Sequence, residues 1–209
     1  MNRLFISVLI NALIVILTFL TISYVILAMI SGKKGHGQSP WTYFRYFTTD
    51  SNILAAAAGI AVSIGDLLMT SGRITELPGW ICGLKMAGTA AVTVTFLTVI
   101  LFLGPTQGGY KQFYVEEGFY LHIAGPLLAI LSFLFLDPIP GGGIFMGIAG
   151  ILPVVIYGLI YLRRVVLLRP GEEGWPDFYG FNRNGHWKAS MTVMFLAGAV
   201  VSGVLWLVK

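Results

Sequence analysis

Charge is scarce in this chain, and that scarcity restricts its fold more than any other feature. Only 11% of the residues are charged, against 56% hydrophobic, whereas soluble domains carry about 25% charge. Such a composition cannot cover a water-facing surface. The apolar residues come in long stretches, and about 20 of them in a row cross the hydrocarbon layer of a bilayer. Inside lipid every backbone N–H and C=O must be paired within the protein, so only helices or a closed barrel can cross. The stretches lack strict alternation, which selects helices. The expectation is a single all-α integral membrane domain over residues 1–209, a six-transmembrane-helix bundle. Its spans are placed at 4–30, 47–69, 80–103, 118–136, 143–162 and 189–208. The first apolar run is longer than the core of a secretory signal, and no small-residue cleavage site follows it. Gly141-Gly142-Gly143 reads as a flexible turn between spans 4 and 5.

Six spans put both termini on one side. The connections between spans 1 and 2, 3 and 4, and 5 and 6 lie on the other, with Lys33, Lys34, Arg45, Lys111, Arg163, Arg164, Arg169, Arg183 and Lys188. The terminal side has Arg3, Arg73 and Lys209, with Lys85 inside span 3. Basic loops stay in the cytoplasm, so the three odd-numbered connections are expected there and both termini outside. The net charge of +4 is spread over the loops, without the dense basic cluster of a nucleic-acid binder; membrane lipids are the expected surroundings, and no nucleic-acid partner is expected. Aromatic residues crowd the basic side, from Tyr43 and Phe44 to Trp175, Phe178, Tyr179 and Trp187. A belt of interfacial rings would populate both faces, so the surplus reads as the mouth of a functional cavity. The long connection 5–6 is rich in Gly, Pro and aromatics; it is either a lid over that mouth or a plain surface connection. Cys82 is the sole cysteine, which excludes an internal disulfide.

Polar residues inside the spans carry whatever chemistry the chain has. Thr48 follows the aromatic run Trp41–Phe47 and begins a polar stripe with Thr49, Asp50, Ser51 and Asn52. Thr48 and Asn52 are four apart and share a helix face. Residues of these types also cap free N–H groups at a helix start, and a threonine hydroxyl in a membrane helix often bonds a preceding carbonyl. His122 lies roughly 6–12 Å inside span 4 at ~1.5 Å per residue. Ionisable groups within spans are costly and commonly line cavities; a neutral histidine bonded to another helix is the alternative. Pro126 follows four residues later and removes a helix hydrogen bond. A hydroxyl nucleophile with an imidazole base is the minimum equipment of covalent hydrolysis. Asp66 and Lys85 are expected to pair across the short connection 2–3, and Glu116 and Glu117 to be solvated or to favour the start of span 4, with one of them able to orient His122. His36 and His186 fall in loops, and three scattered histidines give no zinc spacing.

Phe44-Arg45-Tyr46-Phe47-Thr48 with Ser51-Asn52-Ile53-Leu54 resembles the "FRYFT…SNLL" signature of a bacterial membrane family related to the eukaryotic androgen-induced and androgen-dependent TFPI-regulating proteins. His122 with Pro126-Leu127-Leu128 resembles its "H…PLL" signature, and Gly174-Trp175-Pro176-Asp177-Phe178-Tyr179 its "GWYPYPF" loop. The motifs occur in the right order over most of the chain. Asp50, Ser132 and the shortened aromatic-proline run depart from the family pattern. The resemblance implies a multi-span threonine hydrolase of fatty acid esters of hydroxy fatty acids, in a bacterial inner membrane. It makes Thr48 the nucleophile and His122 the base.

The expected activity is therefore intramembrane hydrolysis of a lipid ester, with a lipid ester or fatty acid as ligand and no metal or organic cofactor. Arg45 would hold a substrate carboxylate, Asn52 would assist at the oxyanion, and Phe47 and Tyr120 would contact substrate. Apolar walls from spans 2, 4 and 5 would take the acyl chains. Three other readings stay open: a lipid or small-molecule binder or transporter, an acyltransferase working through the same acyl-threonine, and a purely structural membrane protein.

Overall fold

The computed structural model describes residues 3–140, 143–169 and 171–209, so Gly141 and Gly142 of the expected glycine turn lie outside the described residues. Six helices are long and apolar enough to cross a membrane: α1 (Arg3–Ile30), α2 (Phe47–Thr70), α3 (Gly79–Thr106), α4 (Glu117–Leu136), α5 (Ile144–Val165) and α6 (Trp187–Leu207). Each begins and ends within three residues of the expected span. The chain is all-helical, and no strand occurs among the described residues.

Helix α3 is the hub, packing on α2, α4, α5 and α6. Just over half of its apolar stretch is buried (56%), against 22% for α1 and α6 at the periphery. Lipid tails give helices no hydrophobic reason to associate, so close approach through small residues does much of the work. Cys82, Gly83, Ala87, Gly88, Ala90 and Ala91 supply it along α3. Large apolar side chains point outward instead, among them Phe5, Phe19, Leu27, Ile144 and Leu196. The interior holds Asn11, Thr49, Asn52, Asp66, Lys85 and Asp137. Apolar outside and polar inside is the arrangement a bilayer requires.

Contacts between connections fix the two ends of the bundle. Lys34 pairs with Glu116 and Glu117, joining connection 1–2 to the start of α4, and Gln107 Nε2 donates to the Phe178 carbonyl (3.3 Å), joining connection 3–4 to 5–6. At the opposite end Arg3 donates to the carbonyls of Leu136 and Asp137, and Lys209 to that of Asp137. The three odd-numbered connections thus share one end and the termini the other.

Three turns are widened from the α-helical to the π-helical hydrogen bond: Val99–Leu103 in α3, and Tyr120–Ala124 and Ser132–Leu136 in α4. In each case the residue donating the i→i−5 bond is followed at once by proline. Gly104 N–H bonds Val99 O before Pro105, Gly125 N–H bonds Tyr120 O before Pro126, and Asp137 N–H bonds Ser132 O before Pro138. A proline ring clashes with the carbonyl four residues back and offers it no N–H; a wider turn moves that carbonyl aside. For Pro126 the carbonyl is that of His122. Pro153 of α5 lies inside a helix that keeps the ordinary pattern.

Candidate functional site

The aromatic run before α2 forms a 3-10 turn over Pro40–Arg45, and extended Tyr46 (φ −96°, ψ 128°) then breaks it so that α2 starts at Phe47. Thr48 therefore sits in the first turn of α2, half-buried. Its Oγ1 lies 3.5 Å from His122 Nε2, inside the widened turn of α4. This is longer than an ordinary hydrogen bond, although such pairs commonly tighten only when substrate is bound. The other ring nitrogen settles the tautomer. His122 Nδ1 is 2.8 Å from the carbonyl oxygen of Phe113. A carbonyl can only accept, so Nδ1 carries hydrogen, and in the neutral ring Nε2 is an acceptor facing the threonine hydroxyl.

Gly118 makes that clamp geometrically feasible. A Cβ on it would stand 2.5 Å from the Phe113 carbonyl oxygen and 3.5 Å from His122 Nδ1. Neither Glu116 nor Glu117 hydrogen-bonds the imidazole; both stand at the start of α4, Glu116 exposed to solvent, and both carboxylates also take Lys34, an ion-paired tie between connections that was not expected. Burial alone would lower Lys34, yet Glu116 and Glu117 outweigh it and hold the ammonium above its ordinary value.

Asn52 is buried and stitches α2 to α4. Its Nδ2 donates to the carbonyls of Thr48 (2.8 Å) and Leu121 (3.0 Å), which commits both amide hydrogens. Ser51 Oγ adds bonds to Thr48 O (3.0 Å) and Thr95 Oγ1 (2.9 Å). The structure thus brings Thr48, Asn52 and His122 together. It directs Tyr120 elsewhere: that hydroxyl donates to Ile14 O (2.9 Å) and meets Thr18 Oγ1 (2.8 Å), both on α1. The Arg45 guanidinium lies 6.0 Å over the Trp175 ring, while the Arg45 carbonyl accepts from Tyr157.

A cavity of about 460 Å³ opens beside Thr48, within the usual range for ligand sites of about 300–1,000 Å³. Phe47 and Thr48 of α2, the Val94–Leu103 stretch of α3, Val154, Tyr157 and Tyr161 of α5, and Ser190, Val193 and Met194 of α6 line it. Its walls thus include α3 and α6, and α4 contributes none of the lining, contrary to the expected walls of spans 2, 4 and 5. His122 approaches Thr48 from outside the cavity, so the hydroxyl stands between an apolar chamber and an imidazole. Phe47 and Tyr157 line both this chamber and a second one between α2, α3 and α5, and the Phe47 N–H donates to Tyr179 Oη (3.0 Å).

Connection 5–6 covers the first chamber, because Tyr179, Gly180 and Phe181 line it. The carboxylate of Asp177 holds this cover in place, accepting from the N–H groups of Phe181 (2.7 Å) and Asn182 (2.8 Å) and from buried Tyr161 Oη (3.1 Å). Rings of Trp175, Phe178, Tyr179 and Phe181 pack around Tyr161. Burial pushes the Tyr179 hydroxyl up to about 12, so it stays protonated.

Sequence reasoning missed the Phe113 carbonyl and Gly118. The glycine six residues after Gln112, next to Glu117, was the available signal, but its role depends on how connection 3–4 folds back. Comparison with known proteins finds no matching family model, no matching curated protein and no matching solved structure.

Proposed function

We propose that this chain is an intramembrane hydrolase of lipid esters, with Thr48 as nucleophile and His122 as base. The observation that carries the reading is the orientation of His122: its Nδ1 is occupied by a carbonyl at 2.8 Å, and its Nε2 is turned toward Thr48 Oγ1. A histidine serving only to join helices has no need to aim its free acceptor at a hydroxyl beside an apolar cavity. The resemblance to the threonine hydrolases related to the androgen-induced proteins points the same way and implies a bacterial inner membrane, and the basic loops favour the cytoplasmic side for this end of the bundle.

In this mechanism the ester lies with its acyl chain in the chamber and its carbonyl carbon at Thr48. The Thr48 proton passes to His122 Nε2 as Oγ1 bonds to the carbonyl carbon. The leaving alcohol takes that proton, which gives an acyl-threonine. Water then attacks, yields a proton to Nε2, and Thr48 Oγ1 leaves with it. The oxyanion needs a donor, and Asn52 has none to spare. The Thr48 N–H, in a first turn with no preceding turn to accept it, is the candidate. Arg45 at the same end would receive a substrate carboxylate.

Ester turnover by the purified protein in lipid nanodiscs tests the proposal. His122→Ala is expected to lower turnover by about 10²–10⁴-fold, and Thr48→Ala to abolish both turnover and labelling by a fluorophosphonate probe. Undiminished hydrolysis in both variants would refute it. An added alcohol acceptor reports transfer in place of hydrolysis through the same acyl-threonine.

A further inference from the structure

The far end of the bundle holds a second set of ionisable groups that ester hydrolysis does not use. Asp66 on α2, Lys85 on α3 and Asp137 at the end of α4 are each at most 1% exposed. Lys85 was expected to pair with Asp66; the structure pairs it with Asp137 instead, Nζ to Oδ2 at 3.2 Å. One cation therefore faces two buried carboxylates.

Hydrogen bonds divide those carboxylates unequally. Asp137 Oδ1 accepts from Ser7 Oγ (2.9 Å), Asn11 Nδ2 (2.8 Å) and Ser132 Oγ (2.8 Å). Lys85 Nζ also donates to Asn11 Oδ1 (2.6 Å) and Ser132 Oγ (3.4 Å). Three donors on Asp137 Oδ1 and the ion pair at Oδ2 thus tie Asp137 to α1 and to Lys85. Among the described residues, neither oxygen of Asp66 has a hydrogen-bond partner. Ser7 adjoins Asp66, but its single hydroxyl hydrogen goes to Asp137. The charged groups facing Asp66 are Lys85 from α3, Asp137 from α4 and Arg3 from α1. Arg3 and Lys209 are bonded to backbone carbonyls at the end of α4, and neither is ion-paired with Asp66. A buried carboxylate with no donor and no paired cation cannot keep its charge; such a group neutralises.

We propose that this cluster is a second ligand site whose ligand is a proton, held on Asp66 as a neutral carboxylic acid beside the Lys85–Asp137 ion pair. The site stands apart from Thr48 and His122 and does not depend on the hydrolase reading.

Infrared spectroscopy of the full chain in nanodiscs at neutral pH tests it through the C=O stretch of a protonated carboxylic acid. Carbon-13 labelling of aspartate should shift that band in the wild-type protein. The band should vanish in Asp66→Asn, persist in Asp50→Asn and ignore sodium. Asp66→Asn, a neutral isostere of the protonated acid, should fold and melt like wild type. Absence of the band from wild type, its loss in Asp50→Asn, or its displacement by sodium with a rise in melting temperature would each overturn the proposal. So would failure of Asp66→Asn to fold, because that would mean Asp66 needs its charge.

Discussion

Helices α2 and α4 each carry polar chemistry at both ends, and the two ends are built on opposite terms. Thr48 and Asp66 lie about 27 Å apart along α2 at ~1.5 Å per residue. At the Thr48 end the reactive atoms are half-buried, their mutual distance is a loose 3.5 Å, and an apolar chamber adjoins them. At the Asp66 end the ionisable side chains are fully buried, and Lys85 and Asp137 Oδ1 are tied by hydrogen bonds to side chains of α1 and α4. A buried hydrogen-bonded network inside a bundle fixes how helices pack; a loosely spaced pair at a cavity edge is free to exchange protons with something that enters. On the proposed reading, polar side chains serve packing at one end and chemistry at the other.

The sharpest way to break this contrast is a pair of substitutions read on two scales. Lys85→Met strands Asp137 in the interior without its cation. It should cost about 3–5 kcal/mol of stability, seen as a lower melting temperature or loss of folded protein in detergent. His122→Ala should do the reverse, removing turnover while the melting temperature stays near wild type. Equal damage to stability from both would erase the distinction between the ends.

A smaller effect is expected from Gly118→Ala. The new methyl would collide with the Phe113 carbonyl, which must then move off His122 Nδ1. Because misplacement by about 1 Å can cost on the order of 10²-fold in rate, kcat should fall by about 10–100-fold with KM little changed. A rise in KM at constant kcat would show that the carbonyl does not govern the base.

The smallest effect concerns the tie between connection 1–2 and the start of α4. The Lys34 ammonium bonded to Glu116 holds that carboxyl below its ordinary value of 4.5. A group depressed in the folded state contributes stability that is present above its unfolded pKa and is lost as pH falls through its folded one. Hydrogen-exchange protection around Lys34, taken relative to the intrinsic amide rate at each pH, should therefore hold from neutral pH down to the ordinary carboxylate range and fall only below it. Loss of protection beginning near neutral pH would assign the tie to another group.

Much of the fold was legible because a bilayer permits so few solutions. Long apolar runs bounded by Lys33, Pro78, Pro138 and the Arg163-Arg164 pair place all six helices. The pairing of Lys85 was not legible, since Asp66 is near it in sequence while Asp137 arrives from beyond the end of span 4. Ser132 departs from the family pattern, and its hydroxyl bonds the Asp137 carboxylate one widened turn later. His122 stood out as an ionisable group inside a span and Asn52 as sharing a helix face with Thr48, while the choice of Thr48 itself rested on the family resemblance. The fate of Asn52's amide, the turn of Tyr120 toward α1 and the chamber walls on α3 and α6 depend on helix rotation, which composition does not encode.

The widened turns before Pro105, Pro126 and Pro138 have an implication for how such a molecule can change. An α-helix turns by about 100° per residue, so a turn that absorbs one extra residue re-aims every side chain on one side of it relative to the other. Removing one residue from Tyr120–Ala124 would swing the His122 face of α4 while the Asp137 end keeps its partners. Each proline thus stands where the helix changes the phase of its side chains, so the His122 and Asp137 ends of α4 are aimed independently of one another.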